Sequence, residues 1–251
     1  QYCVMKKARA LGIKVMLDGQ GADEVFMGYS KYLGIRLWSD FSLFKLHKFF
    51  RNFKLSMQNN NLSAIHLLTL MLGTKYERFK RLGLLLKCKI PLKHGRQFVR
   101  RGAGSRSGSA FQFSEIYEYP LQTLLRNEDR NSMFFSIEAR VPYLDHHLVG
   151  RLYQESIVNK VSGGWSKNLL RELAEGCLPN EIIYRKDKLG FNSPPSWLDN
   201  ISYSEIYESK ILKKLFGKDV NAHWVANLDS KIKWRLLSVA IWERVFKIST
   251  H

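Results

Sequence analysis

The stretch LDGQGADEVFMGY combines two glycines with three acids, and both residue types act on phosphates. Glycine lets a backbone approach an anion closely or adopt positive φ, and N–H groups that follow a strand can point at the anion. Bare carboxylates repel a phosphate, but Mg²⁺ binds carboxylate and phosphate oxygens together. The stretch therefore predicts half of a nucleotide–magnesium site, formed by Asp18, Gly19, Gly21, Asp23 and Glu24.

An ordinary strand–helix turn is the alternative interpretation, because acids are common in a first helical turn. The sequence contains no lysine-bearing phosphate loop of the G-x-x-x-x-G-K-[ST] type. Its seven histidines fit no metal-ligand spacing, so the metal site that we expect is Mg²⁺ at Asp23.

The segments around the turn predict the elements that position it. The apolar run 13–17 predicts a short buried strand after a helix that stops at Gly12, and a helix over 22–32 follows the turn. Other helical patterns cover 40–55, 64–72, 75–86, 120–127, 130–137, 147–158, 166–176, 204–216 and 231–248. The predicted fold class is mainly α, with one or two strands.

Three segments carry further structural signals. The segment 93–115 is rich in Gly, Ser and Arg, which predicts a mobile loop. The pattern 40–55 is basic and amphipathic, which fits an outer helix on the domain or, less favoured, contact with anionic lipid. The last helix carries a predicted core stripe of Trp234, Leu237, Ile241, Val245 and Ile248.

Charge is concentrated in one part of the chain. The net charge is +18, and residues 41–102 contain fourteen Lys and Arg but one acid, Glu77. Such a field favours polyanions, but a solvated basic face of an ordinary enzyme is the favoured interpretation. No run approaches the roughly 18 apolar residues of a membrane span. Three scattered cysteines indicate a reducing compartment, so we expect a cytoplasmic protein.

Four stretches together resemble the asparagine synthetase family. LDGQGADEVFMGY is similar to the family's S-G-E-G-A/S-D-E-hydrophobic-F-x-G-Y motif. DRNSMFFSIEARVPYLDHHLV, SKNLLRE and LPNEIIYRKDKLGFNSP follow in the family's order, and WRLLSVAIWERVF fits its final helix. The resemblance implies the helical C-terminal part of an α/β adenine-nucleotide alpha-hydrolase-like (ATP-pyrophosphatase) domain. Because the family's S-G-G-x-D-S pyrophosphate loop and glutaminase domain are missing, we expect a fragment that is inactive alone.

The same resemblance implies a division of the chain and a chemistry. Residues 1–32 would end the nucleotide-binding sheet, 33–118 would form a variable basic helical region, and 119–251 would carry the substrate and lysine-loop region. In the family, ATP adenylates the side chain of aspartate, and ammonia from glutamine displaces AMP to give asparagine. The implied cofactors are ATP and Mg²⁺. The implied partners are a small carboxylate, a glutaminase domain and the upstream polypeptide; a homodimer stays open, and specific nucleic-acid binding is not expected.

Roles follow by matching residues to the family motifs. Lys188 matches a lysine that stabilises charge on the acyl-phosphate, although a surface lysine is the alternative. Asp23 would hold Mg²⁺–pyrophosphate, and Asp18 would lie close to the nucleotide. Glu24 would form a polar wall of the site, and Tyr29 would contact substrate or only pack.

Lys167 and Arg171 lie one helical turn apart on one face. They could reach a phosphate or pair with Glu172 or Glu175, and the sequence does not decide between these. Asp129 is similarly balanced between substrate contact and a structural role.

Arg140 lies in EARVPYLD, where pairing with Glu138 or Asp145 to brace a helix end is favoured over substrate contact. Gln20 departs from the family, which usually has a Glu that takes a proton from incoming ammonia. Glutamine is neutral and cannot act as a base, but it can orient an amine. The acceptor therefore stays open. The alternatives are an amidotransferase acting on another carboxylate, a basic domain that binds an anionic membrane surface, and a degenerate assembly subunit.

Overall fold

The computed structural model describes residues 1–73, 108–118, 120–186, 201–217 and 220–248. These residues belong to two compact units, the first ending at 186 and the second beginning at 201. The division into 1–32, 33–118 and 119–251 was predicted from the family resemblance and not from compactness, and it stays a prediction.

The first unit contains a two-stranded parallel sheet. Strand β1, Val15–Leu17, pairs with β2, Glu138–Arg140, and Met16 lies opposite Ala139. The mainly helical fold class with one or two strands is therefore confirmed. The prediction that β1 is buried is wrong, because Leu17 is 72% exposed and only the Met16 side packs on a small apolar cluster.

Helices make up most of the first unit. They begin with Tyr2–Ala10, and the strand–helix turn leads into Ala22–Val25, the motif helix. Next come Ser30–Ser42 and Leu46–Asn60, the latter called the basic helix below. The others are Ala64–Leu72, Gly108–Phe113, the π-helix Ser114–Glu118, Leu121–Phe134, the 3-10 helix Pro142–Leu144, His146–Gln154, Ile157–Lys160, Asn168–Ala174 and Asn180–Ile183.

Several predicted helices are interrupted. The helix predicted over 22–32 is wrong as one element, because Met27 adopts φ 57° while packing in the core. The helix predicted over 40–55 is likewise broken at Phe44, with φ 53°. The pattern over 147–158 is divided because Ser156 caps a second helix. Conversely, most of 120–127 and 130–137 lies in one helix, Leu121–Phe134; the prediction over 130–137 extends too far, because Ser136 adopts φ 53°.

Two predictions concern the centre of the chain. The predicted helix 64–72 is confirmed, whereas the one over 75–86 lies outside the described residues. The predicted mobile loop 93–115 is wrong for its last eight residues, because Gly108–Phe113 is helical and a π-helix follows it. The reason is tertiary, since Gln112 is fully buried there.

The second unit is a small helical cluster. Its helices are Ser204–Glu208, Lys210–Phe216, Ala222–Ala226 and Ser230–Phe246. Ser209 caps the second of these, which explains why the pattern over 204–216 is not continuous. The predicted core stripe is only partly right. Leu237 is buried, but Trp234 and Val245 are exposed, and the buried face also uses Leu236 and Ala240.

Among the described residues, no helix is long and apolar enough to cross a membrane.

Candidate active site

Backbone geometry fixes the Gly-rich turn after β1. The Asp18 N–H donates to the Arg140 carbonyl at 2.8 Å, which extends the strand pairing past β1. Gly21 begins the motif helix at φ +87°, and a Cβ there would lie 2.2 Å from a Leu144 methyl. Gly19 has open space around it and no positive φ. Gly21 therefore requires glycine for its conformation, and Gly19 does not.

An ion pair joins two of the motifs. Lys167 Nζ lies 2.9 Å from Asp23 Oδ1, and each side chain is about a third exposed. Gly28 makes room for this contact, because a Cβ on it would lie 2.0 Å from Asp23 Oδ1 and 2.3 Å from Lys167 Cε. The structure thus brings Asp23 and Lys167 together. Sequence reasoning missed Gly28 as a site residue, although it lies within the quoted motif.

The loop before Lys167 is held by the basic helix. Asn59 Nδ2 donates to the Gly163 carbonyl at 2.9 Å, and Asn60 Nδ2 donates to the Gly164 carbonyl at 2.8 Å. Lys167 itself has φ 54° and ψ 33°, a left-handed conformation that costs a non-glycine residue about 1–2 kcal/mol. The end of the basic helix therefore helps to hold a strained lysine where its ammonium meets Asp23.

Arg171 turns to the backbone of the same loop. Its guanidinium donates to the Ser166 carbonyl at 3.0 Å and to the Ile183 carbonyl, and it lies 4.4 Å from the centre of the Trp165 ring. Burial lowers the pKa of Arg171. The glutamates considered as its partners accept from other side chains: Glu172 from Asn168 and Glu175 from Tyr184. Arg171 therefore braces the loop that carries Lys167.

Glu24 and Tyr29 bind each other. Glu24 is buried, and the Tyr29 hydroxyl donates to its Oε1 at 2.5 Å. Burial, and then this hydrogen bond, raise the pKa of Tyr29 far above its usual value. Lys31 Nζ lies over the Tyr29 ring and 2.7 Å from Glu115 Oε2. Glu24 is thus an inward-facing wall of the motif helix, and Tyr29 holds it in place.

A second buried pair supports the end of the motif helix. Gln112 Nε2 donates to the carbonyls of Glu24 at 3.0 Å and of Val25 at 2.7 Å. Lys160, which is fully buried, donates to Gln112 Oε1 at 2.8 Å. Burial lowers the pKa of Lys160 to about 8, against an opposing effect of Glu155. Local sequence patterns gave no signal for this contact, because its members belong to three separate segments.

Two carboxyl groups meet on the other flank of the turn. Glu128 is 2% exposed, and the amides of Gln20, at 3.5 Å, and of Gln1 donate to its Oε2. Burial raises the pKa of Glu128, and the nearby Asp18 carboxylate raises it further. Sequence reasoning did not predict Glu128 as a site residue, although it directly precedes the DRNSM stretch.

The remaining predicted residues are placed differently. Asp129 is exposed on the helix Leu121–Phe134. Arg140 pairs with Glu138 at 2.8 Å, as one alternative expected, although both lie on β2 and not at a helix end. Asp145 instead caps a helix by accepting from two backbone N–H groups at 3.0 Å. Lys188 lies outside the described residues.

The described acids could bind a magnesium ion only together with phosphate oxygens of a nucleotide. No group of three or more His, Cys, Asp or Glu that could hold a metal occurs in the described part of the chain. Asp23 offers a single, partly exposed carboxylate. Mg²⁺ that accompanies a nucleotide is bound by one or two carboxylates together with phosphate oxygens. Asp23 therefore fits a metal that arrives with a polyphosphate, and no resident metal cluster is present among these residues.

Comparison with known proteins assigns the family. The sequence profile of the family described as asparagine synthase matches residues 1–242. Asparagine synthetase (glutamine-hydrolyzing) 1 of Bacillus subtilis (strain 168) is 28% identical over 53% of this chain and 23% of its own length. Asparagine synthetase (glutamine-hydrolyzing) 3 of the same organism is 41% identical over 26% of this chain and 11% of its own length. The chain therefore belongs to the asparagine synthase family.

These matches cover less than a quarter of the length of either curated relative. No solved structure gives a significant match.

Proposed function

We propose that this chain takes part in ATP-dependent amide formation. A carboxylate, with the side chain of aspartate as the first candidate, would be adenylated with release of pyrophosphate. Ammonia derived from glutamine would then displace AMP and give asparagine. Membership of the asparagine synthase family supports this reaction class.

The observation that carries the proposal is the contact between Asp23 and Lys167. Two motifs that are far apart in the sequence meet at 2.9 Å, in space that only a glycine at position 28 leaves open. Both side chains stay about a third exposed, so a ligand can reach them. A cation and a carboxylate side by side suit a polyphosphate with its metal ion, because the cation can bind phosphate oxygens and the carboxylate can bind the metal ion.

Several residues around the Asp23–Lys167 pair would bind the nucleotide and its metal ion. Lys167 would exchange its bond with Asp23 for phosphate oxygens, and Arg171 would hold the loop in place for that exchange. Asp18 and the turn at Gly19 and Gly21 would lie along the nucleotide. If Mg²⁺ is bound, Asp23 would hold it, and the ion would neutralise charge on the phosphates.

Other proposed contacts concern the acid substrate. Tyr29, Asp129 and Arg140 stay candidates for its recognition; Asp129 is exposed, and Arg140, also exposed, would have to exchange its ion pair with Glu138 for the substrate. Lys188 stays the proposed cation for charge that develops on the acyl-phosphate. Glu24 would shape the site through its bond with Tyr29.

The test uses the full-length protein as its gene encodes it. ATP–pyrophosphate exchange is measured with aspartate and with a panel of other small acids. Exchange that depends on one acid supports adenylation and identifies the acceptor, including an acceptor other than aspartate. Lys167→Met should lower the exchange by about 100-fold, whereas exposed Lys6→Met should not. If no acid supports exchange, the proposed function is wrong.

One observation favours a second candidate, contact with an anionic membrane surface. Phe44, at the turn before the basic helix, is 88% exposed, and Phe50 is also exposed among Lys45 and Lys48. However, the opposite face of the basic helix packs on the unit through buried and partly buried side chains. Sedimentation with phosphatidylserine vesicles at low salt, compared with phosphatidylcholine vesicles, tests this surface. No binding in either case removes the candidate.

A further inference from the structure

Glu128 is a buried acid at the Gly-rich turn to which the proposed function has assigned no step. Among the described residues no N–H or O–H group donates to its Oε1, its Oε2 accepts a bond from Gln1 and a weak one from Gln20 at 3.5 Å, and the Asp18 carboxyl lies within hydrogen-bonding contact of Glu128. Buried polar atoms are normally satisfied, because an unsatisfied one destabilises the fold. An acid kept in this state beside a candidate active site calls for a chemical explanation.

Amide formation needs a proton acceptor. A neutral amine that attacks an activated carbonyl gains positive charge on nitrogen and must lose a proton to become an amide. Gln20 cannot accept this proton. Of the other carboxyl groups in the turn and motif helix, Asp23 is paired with Lys167, and Glu24 accepts from Tyr29. The third, Asp18, is in hydrogen-bonding contact with Glu128 itself, so the two carboxyl groups would share one proton.

Glu128 meets the requirement by position. It approaches the turn from the helix Leu121–Phe134, and its Oε2 is the atom that the Gln20 amide contacts. A proton acceptor is effective within hydrogen-bond reach of the donor or through one water molecule. A carboxylate at this place lies one side chain away from the residue that would orient the amine.

We propose that Glu128 is the proton acceptor for the amine, in place of a carboxylate at position 20. The nitrogen lone pair forms the C–N bond to the carbonyl carbon of the acyl-adenylate. The C–O bond to AMP breaks, and its electron pair leaves on the AMP phosphate. One N–H proton passes to the Glu128 carboxylate, which becomes a neutral acid. This role rests on the proposed function.

The electrostatic surroundings agree with this role. Burial raises the pKa of Glu128, and Asp18 raises it further, whereas the Gln20 hydrogen bond lowers it. Among the described residues, the charged side chain that faces Glu128 is the Asp18 carboxyl from the turn. A raised pKa makes the carboxylate a better proton acceptor close to neutral pH.

The experiment separates the two half-reactions in the full-length protein. Acid-dependent ATP–pyrophosphate exchange reports adenylation, and amide formation from ammonium chloride reports amine attack. Glu128→Gln keeps size and shape, so exchange should stay within about twofold while amide formation falls by about 10²- to 10⁴-fold. When the rate at each pH is divided by the concentration of free ammonia, the acidic limb of amide formation that the natural protein shows should disappear in Glu128→Gln. Glu118→Gln, an exposed position with the same charge change, should alter neither assay.

Moving the carboxylate tests the assignment directly. The double variant Gln20→Glu/Glu128→Gln should recover at least tenfold of the lost amide formation, because it restores an acid next to the same site. A merely structural role of Glu128 predicts no such recovery.

The failures of the two proposals are distinguishable. If the natural protein shows no acid-dependent exchange, the proposed function fails. If exchange is present and Glu128→Gln keeps the natural rate and pH profile of amide formation, the role of Glu128 is wrong. Loss of both half-reactions in a folded variant overturns it as well. If the variant does not fold, the pH profile of the natural protein decides, with rates of amide formation divided by the concentration of free ammonia. The absence of an acidic limb then overturns the role of Glu128, and an acidic limb confined to amide formation supports it.

Discussion

Gly28 offers the most direct test of the candidate site, because its missing side chain leaves the space in which Asp23 meets Lys167. In Gly28→Ala, the added Cβ would lie 2.0 Å from Asp23 Oδ1, 2.3 Å from Lys167 Cε and 3.0 Å from the Asp23 Cα. Ordinary contact begins at 3.4 Å. The carboxylate must therefore move by about 1.4 Å, and the lysine stem by about 1.1 Å, unless the backbone shifts.

The structure separates the effect on activity from the effect on stability. A displacement of about 1 Å in a positioned group can cost about 100-fold in rate. The ion pair is about a third exposed, so its loss destabilises by only about 0–1 kcal/mol. Crowding against the Asp23 backbone adds about 1–3 kcal/mol. We therefore expect a folded protein with about 100-fold slower ATP–pyrophosphate exchange.

The assay needs a matched glycine. Gly150 lies in the helix His146–Gln154, and a Cβ there would meet nothing within 4 Å. Gly150→Ala should keep natural exchange and should stabilise the protein by about 0.5–1 kcal/mol, because alanine loses less backbone entropy. Exchange and thermal unfolding are measured for both variants. Natural exchange by folded Gly28→Ala would refute the view that the pair at Asp23 is part of the active site.

Three further predictions concern stability and are checked by denaturant unfolding. Burial raises the pKa of Glu128, so the stability that its protonated form contributes below the unfolded pKa is lost as pH rises through the folded pKa. The free energy of unfolding of Glu128→Gln should therefore increase relative to that of the natural protein as pH rises from acid towards neutral. A difference that stays constant with pH contradicts this. Burial lowers the pKa of Lys160 from 10.5 to about 8, so its contribution to the free energy of unfolding should rise between about pH 8 and pH 10.5. Lys160→Met should remove this rise in stability. If the rise is unchanged in the variant, it comes from another group. Asp145→Ala should lower the free energy of unfolding by about 1 kcal/mol, because it removes the helix cap, and should leave ATP–pyrophosphate exchange unchanged. If the folded variant loses exchange, Asp145 belongs to the active site.

Local patterns predicted what depends on neighbours in the sequence. The helix 64–72 is bounded by Ser63, whose hydroxyl accepts from the His66 N–H, and by Gly73, and the sequence shows both signals. The turn at Gly21 was found in the same way, since a glycine between a strand and a helix can take positive φ. These features are local, and the sequence alone places them.

What the sequence did not reveal depends on partners far along the chain. Met27 continues a helical pattern, but its side chain is needed in the core, and the backbone bends at φ 57° to place it there. Gln112 lies in a stretch with the composition of a loop, yet it bonds to two carbonyls of the motif helix. β1 reads as a buried strand, but its burial depends on what covers the sheet, and Leu17 is exposed. Composition and periodicity carry no information about such distant partners.

Most residues of the candidate site were predicted from the sequence, but their separation onto two flanks of the Gly-rich turn was not. Asp23 and Glu24 lie on the flank that Lys167 and Gln112 hold. Asp18 and Gln20 lie on the flank that Glu128 approaches from another helix. The acids after β1 therefore belong to two environments.

This division answers why one turn can carry several acids beside an anion. On the first flank, Lys167 neutralises Asp23. Under the proposed function, a metal ion and phosphates would replace this ion pair. On the second, burial and mutual repulsion favour the protonated state of Glu128 next to Asp18, so the pair does not carry two full charges at low pH. The charge that a phosphate would meet is thus reduced by Lys167 on the first flank, and on the second flank only when Glu128 is protonated. Under the two proposals, the first flank would bind the nucleotide, and on the second the Glu128 carboxylate would accept a proton from the amine.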